Sequence, residues 1–269
     1  MIIPVTSPED PRITPFRDIR ERDLVGRRGH FIAEGDVVLR VLVESRHRPE
    51  ALLIAERRVV SLAPLLSTLP DDIPVYSASQ PVLDAIAGFP LHRGILALAE
   101  RAPLPEAAGL LAAAGPRAIV MVLCAIANHD NMGGLFRNAA AFGIDAVLLD
   151  QQCCDPFYRK AIRVSVGGCL RVPFARLAPG TDILSLLAQN GFSAMSLSPR
   201  GITPLSRFHR PDRVAVLLGA EGEGLPADLI ARSHSVSIPM APGFDSLNVA
   251  TTGGIVLHHL VAAGQTADP

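Results

Sequence analysis

Residues 118–149 read AIVMVLCAIANHDNMGGLFRNAAAFGIDAVLL. An apolar run over 118–127 is long enough for a buried strand, helical spacing follows over 133–142, and a second apolar stretch fills 146–149. Two strands joined through a helix pair in parallel, because a tight turn cannot reverse the chain to the same end of the sheet. This β-α-β start predicts an α/β unit with a mostly parallel sheet and helices on both faces.

The alternation continues downstream. Helices are expected over 158–166, 182–189, 227–231 and 249–262, and strands over 171–174, 193–197, 214–218 and 235–238. Upstream, Pro103, Pro105, Gly109, Gly115 and Pro116 surround an alanine-rich stretch, the composition of a linker around one short helix. Before it, helices at 17–26, 31–44, 62–69 and 80–87 alternate with strands at 51–55, 74–76 and 94–99, as in a small α/β sandwich. The reading is thus a first domain over 1–101, a linker over 102–116 and a second domain over 117–269, with only the two ends loose.

With 49% hydrophobic and 19% charged residues, the 269-residue chain is globular in composition and long enough for two cores. No apolar run approaches the roughly 20 residues that cross a bilayer, and the start, with Pro4, Pro8 and Pro11, lacks a secretory pattern. A cytoplasmic protein without a membrane partner is expected. Cys124, Cys153, Cys154 and Cys169 contain no C-x-x-C pair and read as buried or half-buried free thiols, with no metal implied. The net charge of −1 excludes a surface that grips nucleic acid everywhere, so any such contact must be local.

Three loops at carboxyl ends of expected strands concentrate the unusual residues, at the edge where open α/β sheets bind ligands. In the first, Asn131 is placed to cap a helix from which Arg137 projects amid alanines and Phe136. A helix cap with an interdomain salt bridge would explain that loop alone equally well. The second, Leu218-Gly219-Ala220-Glu221-Gly222-Glu223-Gly224, is not a dinucleotide fingerprint: the glycine spacing is wrong, and Glu221 and Glu223 would repel a pyrophosphate. That excludes a nicotinamide enzyme and suits S-adenosylmethionine, which carries a sulfonium and an ammonium against one carboxylate. In the third, Ile238-Pro-Met240-Ala-Pro242-Gly243-Phe-Asp245-Ser246-Leu247-Asn248-Val249, either Ser246 or Asn248 can cap the last helix.

In order and spacing these loops resemble the three motifs of the SpoU/TrmH (SPOUT) RNA 2′-O-ribose methyltransferases. Asn131 and Arg137 match the first motif, Gly219, Glu221 and Gly224 the second, and Ile238 to Met240 with Ser246 to Val249 the third. Pro242 and Ala250 depart from it, standing where many members have glycine and serine. The first domain looks like a ribosomal-protein-like RNA-binding domain, on the pieces beginning at Phe31, Arg48 and His92. The resemblance implies a trefoil-knotted catalytic domain, S-adenosylmethionine as cofactor, and a homodimer that completes the site. It makes Arg137, Asn131, Ser246, Asn248 and Glu221 catalytic, with Glu221 tethering loops or pairing with Arg137. It makes Leu218, Gly219, Ala220, Glu221, Gly222, Ile238, Met240, Ser246, Leu247 and Asn248 cofactor-binding.

Candidate RNA contacts are Arg27, Arg28, Arg46, Arg48, His92, Arg93 and Arg163; Arg17, Arg20 and Arg22 form a further cluster with Asp18, Glu21 and Asp23 nearby. Ribosomal RNA is favoured over transfer RNA by family analogy. The rival reading is a catalytically silent RNA-binding or ribosome-assembly factor on the same fold.

Overall fold

A computed structural model describes residues 2–17, 29–88 and 90–265. The chain divides into two compact units, residues 1–103 with 155–171, and residues 104–154 with 172–269. In chain order the first contributes β1 (Ile2–Val5), β2 (His30–Glu34), α1 (Asp36–Val43), β3 (Arg48–Ala55), α2 (Val59–Leu66), β4 (Val75–Ala78), α3 (Gln80–Ala87) and β5 (Ile95–Glu100). The second opens with α4 (Ala107–Ala113), β6 (Ala118–Leu123), α5 (His129–Phe142) and β7 (Ala146–Leu149). The chain returns to the first unit for α6 (Arg159–Val164) and α7 (Gly168–Arg171). It ends in the second with β8 (Phe174–Arg176), α8 (Ile183–Gln189), β9 (Ser193–Leu197), β10 (Thr203–Pro204), β11 (Arg213–Leu218), α9 (Ala227–Ala231), β12 (His234–Ser237) and α10 (Val249–Gln265).

The second sheet has the order β10-β12-β9-β11-β6-β7-β8, with every pair parallel. Its interior strand β6, between β11 and β7, is buried at every residue, as a strand covered on both faces must be. Because all strands run one way, all their carboxyl ends meet along one edge. The first sheet has the order β1-β4-β3-β5-β2, parallel from β1 to β3 and antiparallel at β5.

Several expectations from the sequence change. The helix expected at 31–44 is split: His30–Glu34 pairs with β5, Gly35 turns the chain at φ 100°, and only Asp36–Val43 is helical. Pairing with β5 outweighed the local helical pattern. The N-terminus, expected loose, is the strand β1, held parallel to β4 with Val5 buried. Helix α5 starts four residues before the expected 133, because the Asn128 carboxamide accepts the N–H groups of Asp130 (2.7 Å) and Asn131 (3.4 Å). Asn128, not Asn131, is therefore its cap. The expected helix at 17–26 lies almost wholly outside the described residues.

Residues 155–171 differ most from a reading that cuts the chain once, near 116. Phe157 stacks on Phe31 with centroids 5.1 Å apart, the imidazole of His47 meets both rings edge-on, and the Arg101 guanidinium lies 4.8 Å above Phe157. Arg101 pairs with Asp155 at 3.1 Å and Arg171 with Glu44 at 2.8 Å. Aromatic burial of this kind outweighs chain order.

His47 is the titratable member of that cluster. Its Nδ1 accepts the Ala102 N–H at 3.1 Å, so the proton of the neutral ring sits on Nε2. Burial first, then the positive charges of Arg46 and Arg101, hold its pKa down at about 4. The unfolded chain binds this proton near pH 6.5, so stability is full above that value and falls as pH drops toward 4. Between pH 7 and 5 the loss should be about 2 kcal/mol, at about 1.4 kcal/mol per pH unit below 6.5. Urea denaturation at both pH values should show that difference shrinking in His47→Gln. An equal loss in the variant would assign the acid sensitivity to other groups.

Candidate active site

At the carboxyl edge of the second sheet a cavity of about 1250 Å³ opens among the ends of β9, β11 and β12. It is walled by residues 197–200, 218–225, 237–240 and 244–249. Every residue that the sequence resemblance assigns to cofactor binding lies in this lining: Leu218, Gly219, Ala220, Glu221, Gly222, Ile238, Met240, Ser246, Leu247 and Asn248. Among its ionisable groups are the carboxylates of Glu221, Glu223 and Asp245.

The loop after β11 is a closed hairpin. The Gly224 N–H donates to the Ala220 carbonyl at 3.0 Å, and Gly222 and Gly224 take φ values of 89° and 73°. Gly219 is fixed for another reason: a Cβ there would lie 2.3 Å from the Gly224 carbonyl carbon. The glycine spacing therefore serves a tight backbone crossing as well as a smooth cavity wall.

The three loops meet at Asn248. Its Oδ1 accepts the N–H groups of Ala250 (3.0 Å) and Thr251 (3.2 Å), which caps α10. That fixes which way the carboxamide faces, so Nδ2 points outward. It donates to Asn131 Oδ1 at 2.8 Å and to Glu221 Oε1 at 2.9 Å. Both amide hydrogens are then used, one on each of the other two loops. Of the two capping candidates, Asn248 makes the bond, while Ser246 is exposed and lines the cavity.

Helices α5 and α10 approach closely through small residues. A Cβ on Gly134 would lie 2.7 Å from the Ala250 Cβ, one on Gly253 would lie 2.7 Å from Leu135, and Asn138 donates to the Ala250 carbonyl at 2.7 Å. This contact holds Asn131, near the start of α5, within reach of Asn248, at the start of α10.

Arg137 stands apart from this group. It is exposed, does not line the cavity of its own chain, and makes no hydrogen bond or ion pair among the described residues. The expected alternative of a Glu221–Arg137 pair is not formed; Glu221 tethers loops instead, through Asn248. Among the RNA candidates, Arg48 pairs with Asp72 at 2.8 Å, Arg46 donates to the Pro103 carbonyl at 3.3 Å, and Arg163 faces the buried Glu34 at 3.6 Å. His92 and Arg93 are exposed, and Arg93 has no hydrogen bond or ion pair among the described residues. Arg27, Arg28, Arg20 and Arg22 lie outside the described residues, and Arg17 pairs with Glu9 at 2.8 Å. None of the four cysteines forms a disulfide; burial pushes the Cys124 thiol up to about 12 and the Cys153 thiol higher still, which makes both poor nucleophiles.

The profile of the SpoU rRNA Methylase family matches residues 118–258, more than half of the chain. The chain belongs to that family. A Mycobacterium bovis relative, named an uncharacterized tRNA/rRNA methyltransferase, is 38% identical over 98% of this chain and 93% of its own length. Two solved structures share the fold of this SpoU-family chain. One is a protein titled RNA 2′-O ribose methyltransferase, at TM-score 0.80 and 23% identity over 98% of this chain and all of that one. The other is the SpoU methyltransferase AviRb of Streptomyces viridochromogenes in complex with AdoMet, at TM-score 0.80 and 20% identity over 95% and 98%.

The sequence reading missed one wall of the SpoU-family cavity, Leu197 to Arg200, together with Thr252. The strand-end rule that found the other loops would have found it, since Ser198-Pro199-Arg200-Gly201 follows β9 directly. It lacked the unusual glycine and acidic residues that drew attention elsewhere.

Asn248→Ala should destabilise the second unit by roughly 2 kcal/mol, through loss of the cap and an unmatched Asn131 carboxamide. Asn248→Ser, which can still cap, should recover about half of it. Urea midpoints of the three proteins measure this, and equal midpoints for alanine and serine would dismiss the cap.

Proposed function

We propose that this chain transfers the methyl group of S-adenosylmethionine to a ribose 2′-hydroxyl of structured RNA, ribosomal RNA in preference to transfer RNA. The observation that carries the reading is the Asn248 carboxamide joining Asn131 and Glu221 at the rim of an acidic cavity. The cavity suits the cofactor: carboxylates for its sulfonium and ammonium, and strand-end backbone for its adenine. The solved AviRb complex and the structure titled as a 2′-O ribose methyltransferase support the cofactor and the acceptor by fold.

When bound, the cofactor supplies a methyl group activated by a sulfonium. Gly219, Ile238, Met240 and Leu247 would hold it against the strand ends and exclude water. Asn131, Ser246 and Asn248 would orient the ribose, with Asn248 locked by the helix it caps. A guanidinium keeps its proton up to a pKa above about 12, so Arg137 acts as a cation that grips the RNA phosphate and stabilises the developing alkoxide; the general base is another group. Because Arg137 does not reach the cavity of its own chain, the reading includes a homodimer in which the partner's Arg137 completes the site. It also includes the family's trefoil knot.

Residues 1–101 would hold the RNA, with the exposed Arg93 a stronger candidate contact than Arg48, which has a partner already. The reading takes the chain to act in the cytoplasm; none of the described helices is long and apolar enough to cross a membrane.

Arg137→Ala should lower kcat/KM for RNA methylation about a hundredfold or more, while calorimetry finds S-adenosylmethionine affinity within about twofold of the parent. Near-parental turnover would remove Arg137 from the mechanism. Ribose-methylation mapping of total RNA from a strain lacking the protein should show one lost modification in ribosomal RNA. A protein that binds RNA but not the cofactor would instead be the silent factor.

A further inference from the structure

The cavity wall after β9 contains a cation that the reading above does not use. Among the described residues lining the cavity, Arg200 is the only one with a positively charged side chain, and it shares the lining with Glu221, Glu223 and Asp245. Its guanidinium is exposed and has no hydrogen bond or ion pair among the described residues.

The backbone that carries it is firmly set. Residues 198–201 form a turn closed by the Gly201 N–H to the Ser198 carbonyl at 2.9 Å, with Pro199 in the second position. The Ser198 hydroxyl accepts the Arg200 N–H at 3.3 Å. The turn is fastened to β12 on both sides: Ser198 N–H donates to the Val236 carbonyl at 3.0 Å, and Ile202 N–H to the Ser235 hydroxyl at 3.2 Å. Gly201 between them passes so near Val236 that no side chain fits. Such a turn fixes the backbone of Arg200 in the cavity wall while its exposed guanidinium has no partner among the described residues.

S-Adenosylmethionine carries one group that the acidic wall repels, the carboxylate of its methionyl end. We propose that Arg200 binds this carboxylate and thereby sets which end of the cavity the methionyl tail occupies. The inference rests on the cofactor reading above. An arginine fork matches a carboxylate in a bidentate geometry, and Glu221, Glu223 and Asp245 remain for the sulfonium and ammonium.

Calorimetry on the full chain tests it, with S-adenosylmethionine, S-adenosylhomocysteine, decarboxylated S-adenosylmethionine and 5′-methylthioadenosine as probes. Arg200→Ala should weaken the two carboxylate-bearing ligands by about tenfold or more, the scale of one charge-assisted hydrogen bond. It should leave decarboxylated S-adenosylmethionine and methylthioadenosine within about twofold, and Arg200→Lys should fall between. If the parent binds S-adenosylmethionine and Arg200→Ala binds it equally, the assignment is overturned while the cofactor reading stands. Equal weakening of all four ligands would reduce Arg200 to a structural role and also overturn it. Unchanged cofactor binding with weaker, less salt-sensitive RNA binding would give the guanidinium to a phosphate instead. A parent that binds none of the four would overturn the cofactor reading itself.

Discussion

A single carboxamide holds the site of this SpoU-family chain together. Asn248 ends an irregular segment, starts the last helix and reaches two other loops, so one side chain satisfies donors and acceptors from three places. Its orientation is not free: the helix N-terminus demands an acceptor, which leaves only N–H groups for Asn131 and Glu221. A carboxylate in its place could cap α10 but would confront the Glu221 charge, and a hydroxyl is too short to span the gap. The chemistry of the position selects asparagine.

That bridge depends on backbones that come unusually close. Gly134 and Gly253 let α5 and α10 touch, Gly219 lets the hairpin after β11 close on itself, and Gly201 lets the turn after β9 press against β12. At Gly219 and Gly201 a Cβ would collide with backbone, at Gly134 with the Ala250 Cβ, and at Gly253 with the end of the Leu135 side chain. Tight backbone contact of this kind costs conformational entropy on folding, repaid by a wall of fixed shape around the cavity.

Charge is distributed unevenly around the same cavity. Carboxylates occupy the hairpin after β11 and the segment after β12, and the one lining guanidinium among the described residues sits on the turn after β9. A ligand with separated charges would meet opposite signs on different walls of such a cavity. The arginine of α5, Arg137, is exposed and stands outside this field in its own chain.

By itself the sequence determined the parallel α/β class, most of the elements after residue 118 and the three loops, because strand-helix alternation, glycine spacing and capping residues are local signals; it missed the short helix Gly168–Arg171, which displaces the strand expected at 171–174 to Phe174–Arg176, and the strand Thr203–Pro204. It also argued against a pyrophosphate at the second loop, from the glycine spacing together with Glu221 and Glu223. Tertiary structure decided what local pattern could not. Residues 31–34 became a strand because β5 offered a partner, and residues 155–171 joined the first unit because Phe157 found Phe31 and His47. It also decided that Asn128 caps α5, which frees Asn131 to face Asn248, and that the inconspicuous turn at 198–201 forms a wall of the site. In each case the deciding partner lies far along the chain, where composition and periodicity carry no information about distance.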